Sequence, residues 1–445
     1  MTSEVTLYWF RQDLRLHDNP ALLHAAQTSQ RLLPIYIHDI KHDQDTVWGF
    51  QRMGPHRRAF LRSGLDGLRE GLISRQSILF EYQGDAVDVL VKLCRERNVT
   101  RIVSEEIAAP EEQAEVNSLR LAGIKVETFW QSSMLSKTTL PWQSDATPDV
   151  FTAFRQGIEK KGTRFDACAA DISSLPSPPD WVNEQPGHRR IELNSGLESP
   201  NPTRAVWQDA SFPYPLAGFS AKESDALSYL SSYFQSDRPA RYKATRNGLS
   251  GTAYSTKFSP WLAVGALSPR RIMHSLSKYE SEHGQNEGSY WIWFELLWRD
   301  HFRWLHHKYG RQLYLKQGLK ANRHLANAQK TIQHRDGLQK WMTGTTGHAF
   351  VDAGMRELSA TGYLSNRMRQ IVASYLIHEL GADWRAGAAW FESQLIDYDV
   401  YSNQGNWAYI AGVGSDPRGG RRFNPDKQAA DHDPTGAYQK RWGTR

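Results

Sequence analysis

VTLYWF (5–10), LLPIYIH (32–38), ILFEY (78–82), RIVSEE (101–106) and KVETFW (125–130) are short apolar runs, and helical patterns separate them. Leu61, Leu65, Leu68 and Leu72 recur at helical spacing after Pro55, a residue suited to a helix's first turn. AVDVLVKLCRER (86–97) reads as another amphipathic helix. This alternation of strand and helix predicts a Rossmann-like parallel sheet with helices on both faces. No GxGxxG follows a strand. GIEKKGT (157–163) has the P-loop spacing but carries Thr163 where the lysine must be. Classical dinucleotide and P-loop phosphate binding are therefore unsupported.

Beyond residue 130 the character changes. Residues 131–205 are rich in Pro, Ser and Asn and read as a connector, with one helix expected over VFTAFRQGIEKK (150–161). From about 220 onward helical stretches dominate, among them SDALSYLSSYF, WLAVGALSPRRIMHSLSKY, YWIWFELLWRDHFRWLHHKYG and AGMRELSATGYLSNRMRQIVASYLIHEL. The expected organisation is an α/β domain over 1–130, a connector over 131–205 and an all-helical domain over 206–445.

The 445 residues suffice for two or three cores, and 40% hydrophobic with 23% charged residues suits a globular protein. No apolar run is long enough for a membrane helix, and MTSEVTLYWFRQD lacks the layout of a secretory signal. With only Cys94 and Cys168, a disulfide framework and a four-cysteine metal site are excluded, and no metal is expected. A reducing cytoplasm fits. Residues 201–445 carry 31 Lys and Arg against 21 Asp and Glu, a net of +10; residues 1–200 carry 23 against 27, a net of −4. The second half is expected to meet an anionic partner.

Asn366, Arg369 and Gln370 share one helix face, and Asp399, Asn403 and Trp407 line another if that segment is helical. Charged groups among apolar helices need partners, so the two faces predict a polar pocket.

WFRQDLRLHDNPAL (9–22), RYKATRNGLSGTAYSTKFSPWLAVGALSPRRI (241–272), ELLWRDHFRW (295–304) and the 361–445 stretch each resemble motifs of the photolyase/cryptochrome family. They occur in the family's order over nearly the whole chain. Their combination is specific where each alone is moderate, and within the family they are most similar to DASH-type cryptochromes. The resemblance implies FAD in the helical domain. It makes Ser255, Thr256, Lys257, Phe258 and Ser259 a diphosphate clasp with Tyr242 nearby, although Ser and Thr before a Pro-led helix would serve equally as a plain N-cap. Arg369 and Asp397 match the ion pair over the flavin ring, Asp399 the acid at its polar edge, and Asn403 the residue facing flavin N5. Glu295, Trp298 and Asn366 match lesion contacts. Tyr363 and Gln370 replace the Trp and Met more typical of duplex photolyases, which makes the lesion pocket more polar. Arg421 and Arg422 are candidate phosphate contacts. Trp407 and Trp384 match the inner electron-transfer tryptophans; the outer one falls near Thr331, which leaves Trp341 or Trp390 to complete the route. Glu106 matches the acid that holds a 5,10-methenyltetrahydrofolate antenna in the first domain.

The resemblance thus implies a blue-light-dependent deoxyribodipyrimidine photo-lyase, preferring single-stranded DNA, with RNA as a further candidate partner and a monomeric state. The alternatives are a photoreceptor signalling through flavin redox state without repair, which usually carries a long polar tail after the position matching Trp442, and a conventional double-strand photolyase.

Overall fold

The computed structural model describes residues 4–184, 204–320 and 333–443; Thr331 lies outside them. The five strands are β1 (Val5–Phe10), β2 (Arg31–Asp39), β3 (Phe80–Gly84), β4 (Val99–Glu105) and β5 (Val126–Phe129). They form one parallel sheet in the order β3-β2-β1-β4-β5. All of β1 is buried, as a central parallel strand covered on both faces must be. Leu7 and Trp9 enter one apolar cluster and Tyr8 and Phe10 the other, because successive side chains point to opposite faces. The helices Pro20–Thr28, Pro55–Ile73, Ala86–Glu96 and Pro110–Leu121 provide the covering layers. The third strand starts two residues later than its apolar run, since ladder pairing begins only where Phe80 meets Ile35.

The helix expected in the connector is present as Phe151–Lys161. Phe151, Phe154 and Ile158 pack into the main core of the helical half, beside Met134 and Leu135. GIEKKGT is simply the end of this helix, capped by Gly162 in the left-handed region.

After Phe129 the described residues hold no further strand. Two of the expected helical stretches are each broken once. Residues 261–279 divide into Ser259–Val264 and Pro269–His283 at Gly265, where φ is +78° and a Cβ would lie 2.0 Å from the Gln12 carbonyl oxygen. Residues 353–380 divide into Ala349–Thr361 and Asn366–His378 at Gly362, whose φ is +68°. Only glycine suits both the dihedral and the contact at these breaks.

Gly265 also locates the WFRQDLRLHDNPAL motif. The Leu14 amide donates to the Val264 carbonyl at 3.1 Å, and Arg15 Nη1 donates to the Gly265 carbonyl at 3.0 Å. Asp18 pairs with Arg270 at 2.9 Å, and His17 meets Glu223 at 2.5 Å. The motif is the joint between sheet and helices. The helix Glu287–Tyr309 runs through the centre of the helical half, started by a capping box between Asn286 and Ser289.

Candidate functional site

Helix Asn366–His378 begins at Ser365, whose hydroxyl accepts the Met368 amide, and helix Val400–Ile410 begins at Asp399, which accepts the Ser402 amide at 2.7 Å. Asp399 is thus a cap rather than a helical residue, yet its side chain stays on the face of Asn403 and Trp407. A chamber of about 90 Å³ is lined by Asn366, Arg369, Gln370, Asp399, Asn403 and Trp407 together. The two faces expected from spacing therefore do converge. Asn366, Arg369, Gln370 and Asp397 also line a second, larger cavity of about 560 Å³. Its wall further includes Tyr242, Ser255 to Ser259, Glu295, Trp298, Tyr363 and Arg421.

The cavity's cationic end is a single network. Arg369 Nη2 donates to both oxygens of Asp397 at 2.9 and 2.8 Å, and Ser259 Oγ donates to Asp397 at 2.7 Å. Lys257 differs from every neighbour. It is buried, its φ is +59°, and its Nζ has no hydrogen-bond partner. The ammonium lies 3.4 Å from the centre of the Tyr254 ring and 5.1 Å from that of Tyr363. Burial drives its pKa well below the ordinary lysine value, against the attraction of Glu357 and Asp397. A buried amine on a strained backbone, without a hydrogen-bond partner, is a group whose charged form an anion would restore, and the flanking hydroxyls suit a diphosphate.

Elsewhere on the same wall, Glu295 pairs with Arg246, and burial raises its pKa despite that arginine. The Trp298 ring stacks on Phe151 of the connector helix at 3.7 Å and 10°. Tyr363 is buried, and burial raises its hydroxyl pKa, so it remains a neutral donor. Arg421 faces Asp416 at 3.2 Å and donates to Tyr409 at 2.6 Å. Arg422 is instead exposed and paired with Glu379 at 2.9 Å, away from the cavity wall. The Asn403 amide is fixed by its Nδ2 donating to the Ala388 carbonyl at 3.0 Å.

Behind the chamber, Trp407 meets Phe391 at 5.1 Å and Trp341 at 6.2 Å between ring centres. It lies on the glycine face of helix Trp384–Gln394, where a Cβ on Gly387 would fall 2.2 Å from Trp407 Cη2. Trp384 belongs to the same apolar cluster and donates to the Lys316 carbonyl at 3.1 Å. Trp341 is fully buried, and Trp390 packs edge-on against Phe50 at 5.0 Å. Glu106 lines neither cavity. It pairs with Lys137 at 2.7 Å and faces His307 at 3.6 Å; burial raises its pKa, and these two partners outweigh it, so the carboxylate stays ionised.

Sequence reading missed the partners of these residues. Arg246 holds Glu295, while Arg299 and Arg303 face Asp399 at 3.6 and 4.0 Å. The signal was available. Glu295, Arg299, Phe302 and Arg303 follow the i, i+4, i+7, i+8 pattern of one face in ELLWRDHFRW.

The family model described as DNA photolyase matches residues 6–178, and that of the FAD binding domain of DNA photolyase matches residues 291–444. A cryptochrome DASH of Idiomarina loihiensis is 40% identical over 438 residues, covering 98% of this chain and 92% of that protein. This chain belongs to the photolyase/cryptochrome family, in its DASH branch. Its FAD-binding domain marks it as a photolyase-type flavoprotein. Among solved structures, the Synechocystis cryptochrome superposes on this chain with a TM-score of 0.86 at 38% identity, covering 99% of this chain and 89% of that one. A class III photolyase of Agrobacterium tumefaciens gives 0.78 at 27% identity, covering 99% and 87%. The parallel-sheet and helical halves are shared architecture. No helix among the described residues is long and apolar enough to cross a membrane.

Proposed function

We propose that this DASH cryptochrome splits cyclobutane pyrimidine dimers under blue light, chiefly in single-stranded DNA. The observation that carries this reading is one cavity whose wall holds two chemically distinct sets of groups: the unpartnered Lys257 amine with its flanking hydroxyls, and Glu295 and Trp298 with Asn366.

Reduced FAD, when bound, supplies the light-excited electron. Lys257, with Ser255, Thr256 and Ser259, holds the diphosphate, and Tyr242 closes that side. Phe258 anchors the clasp in the core. The Arg369–Asp397 pair, already locked by Ser259, would hold the flavin with little reorganisation. Asp399 is kept ionised by Arg299 and Arg303 against the effect of its burial, and would serve as a hydrogen-bond acceptor for the flavin's polar groups. Asn403 presents a neutral amide, where a carboxylate would repel a reduced, anionic ring. Trp407 and Trp384 would carry electrons to the site, and Trp341, 6.2 Å from Trp407 between ring centres, is a candidate third aromatic.

Trp298 is a rigid platform for a flipped base, because Phe151 already fixes its plane. Asn366 and Glu295 read the base edges, and Arg246 keeps the Glu295 carboxylate in place. Tyr363 and Gln370 give the pocket polar walls, which return less apolar stacking energy than Trp and Met would. A dimer already unstacked in a single strand then becomes the favoured substrate. Arg421, with the basic balance of the second half, meets the backbone phosphates. RNA carrying unpaired bases shares these features.

Glu106, ionised beside Lys137 and His307, is the proposed anchor of a 5,10-methenyltetrahydrofolate antenna in the α/β domain (1–130). The connector (131–205) and helical domain (206–445) complete a monomer working in a reducing cytoplasm.

The test is anaerobic blue illumination of the reduced holoprotein with single- and double-stranded oligonucleotides that each carry one dimer. Recovery of thymine absorbance is expected, faster in the single strand. No recovery in either strand, with flavin bands still responding to light, refutes repair and leaves light sensing; equal rates refute the strand preference.

A further inference from the structure

The flavin-edge acid Asp399 is linked to the sheet by a buried ion chain. Glu105 is the last residue of β4 and is 1% exposed, as is Arg303 of the central helix. Arg303 Nη2 lies 3.4 Å from Glu105 Oε1, and its Nη1 lies 4.0 Å from Asp399 Oδ2. Its guanidinium is clamped between the rings of Trp130 at 4.9 Å and Tyr401 at 4.3 Å, and its Nε donates to Ser133 Oγ at 3.0 Å. Tyr401 is itself fixed by the Ala108 amide at 2.7 Å. The cation is thus shared between an acid of the sheet and an acid of the cavity, while Arg299, 3.6 Å from Asp399, gives that acid a second and nearer counter-charge. Glu105 Oε2 has no partner of its own. Burial raises the Glu105 pKa, and Asp13 adds to this, while Arg303 and Arg15 oppose it.

Nothing in the proposed lesion chemistry uses Glu105. We propose that Glu105 is a positioning residue of the flavin site, drawing Arg303 toward the sheet and so setting how much uncompensated negative charge Asp399 keeps at the chamber wall. The inference rests on the flavin reading of that chamber. Removing the Glu105 charge lets Arg303 neutralise Asp399 more fully. The edge becomes less negative, and the reduced anionic ring is favoured.

The experiment is dye-equilibrated reduction of the FAD-loaded protein, comparing wild type, Glu105→Gln, Asp399→Asn and the double variant. Glu105→Gln is expected to raise the reduced-to-oxidised ratio about three- to tenfold at a fixed dye potential, tenfold being about 30 mV for two electrons. The double variant is expected to match Asp399→Asn alone. Should Glu105→Gln not fold, Glu105→Asp keeps the charge but withdraws it from Arg303, and a smaller rise is expected. An unmoved ratio in Glu105→Gln while Asp399→Asn shifts overturns the inference and leaves the flavin reading standing. Additive shifts overturn it too, since Glu105 would then act directly. No shift in any variant removes the flavin reading and the inference together.

Discussion

Replacing Lys257 by Met should move apo-stability and cofactor affinity in opposite directions. Without a cofactor, the Lys257 amine is buried with no hydrogen-bond partner, facing the Tyr254 and Tyr363 rings and only the longer-range attraction of Glu357 and Asp397. An unsatisfied buried polar group costs roughly 1–3 kcal/mol. Met keeps the volume and removes that cost, so the apo-protein should gain about 1 kcal/mol or more. With FAD bound, the same group in its charged form makes a charge-assisted hydrogen bond to phosphate, worth about 1.5–3 kcal/mol. Its loss should weaken FAD about 10- to 150-fold at 1.4 kcal/mol per decade. Lys257→Gly is the companion variant, because glycine also relieves the positive φ, worth roughly 1–2 kcal/mol of backbone strain. Chemical denaturation of the apo-protein measures the first effect, and titration of apo-protein with FAD, followed by flavin fluorescence, measures the second. Lower apo-stability together with unchanged FAD affinity in Lys257→Met would refute the reasoning and make Lys257 an ordinary packed lysine.

Asn403→Asp should disfavour the reduced anionic flavin, shifting its absorption during photoreduction; identical spectra would displace Asn403 from the reactive edge. Gly387→Ala forces a methyl to within 2.2 Å of Trp407, which should cost about 1–3 kcal/mol by overpacking, lower the melting temperature and slow photoreduction; a transient-absorption trace equal to wild type counts against Trp407 as the inner donor. Glu357, buried and bonded by Tyr438 and Ser211, has its pKa raised by burial to about 7. Its folded state prefers the proton, so its contribution is full below the unfolded carboxylate range and falls as pH rises toward 7, by about 1.4 kcal/mol per pH unit at most. Glu357→Gln should flatten denaturation midpoints measured between pH 5 and pH 7.

The sheet was legible because its strands are continuous apolar runs separated by amphipathic helices, a pattern with few competing folds. The chamber was legible because two helix faces show their spacing directly: Asn366 with Arg369 and Gln370, and Asn403 with Trp407. Breaks were less visible. Gly265 and Gly362 look like any helical glycine until Gln12 and His56 are seen pressing on them. Charge pairing across long separations was only half visible: the shared face of Glu295, Arg299 and Arg303 shows in the spacing, but nothing local tells that its arginines meet Asp399 or that Glu295 meets Arg246. The electron route shows the same limit. The family resemblance points to Trp384, while packing sets Trp341 against Trp407, a proximity that sequence position does not reveal.

The joint at Gly265 bears on how the chain comes to hold its cofactor during synthesis. Arg15 and the Gly265 carbonyl are 250 residues apart, and the clasp helix ends on that bond. A nascent chain meets its first anchor early and its last partner, Asp397, more than a hundred residues after Ser259 has been made. Loop closure over such lengths adds only a modest entropic cost, but it must await the emergence of both ends. Flavin loading should therefore be post-translational and all-or-none, with ribosome-held intermediates carrying a finished sheet and no bound flavin.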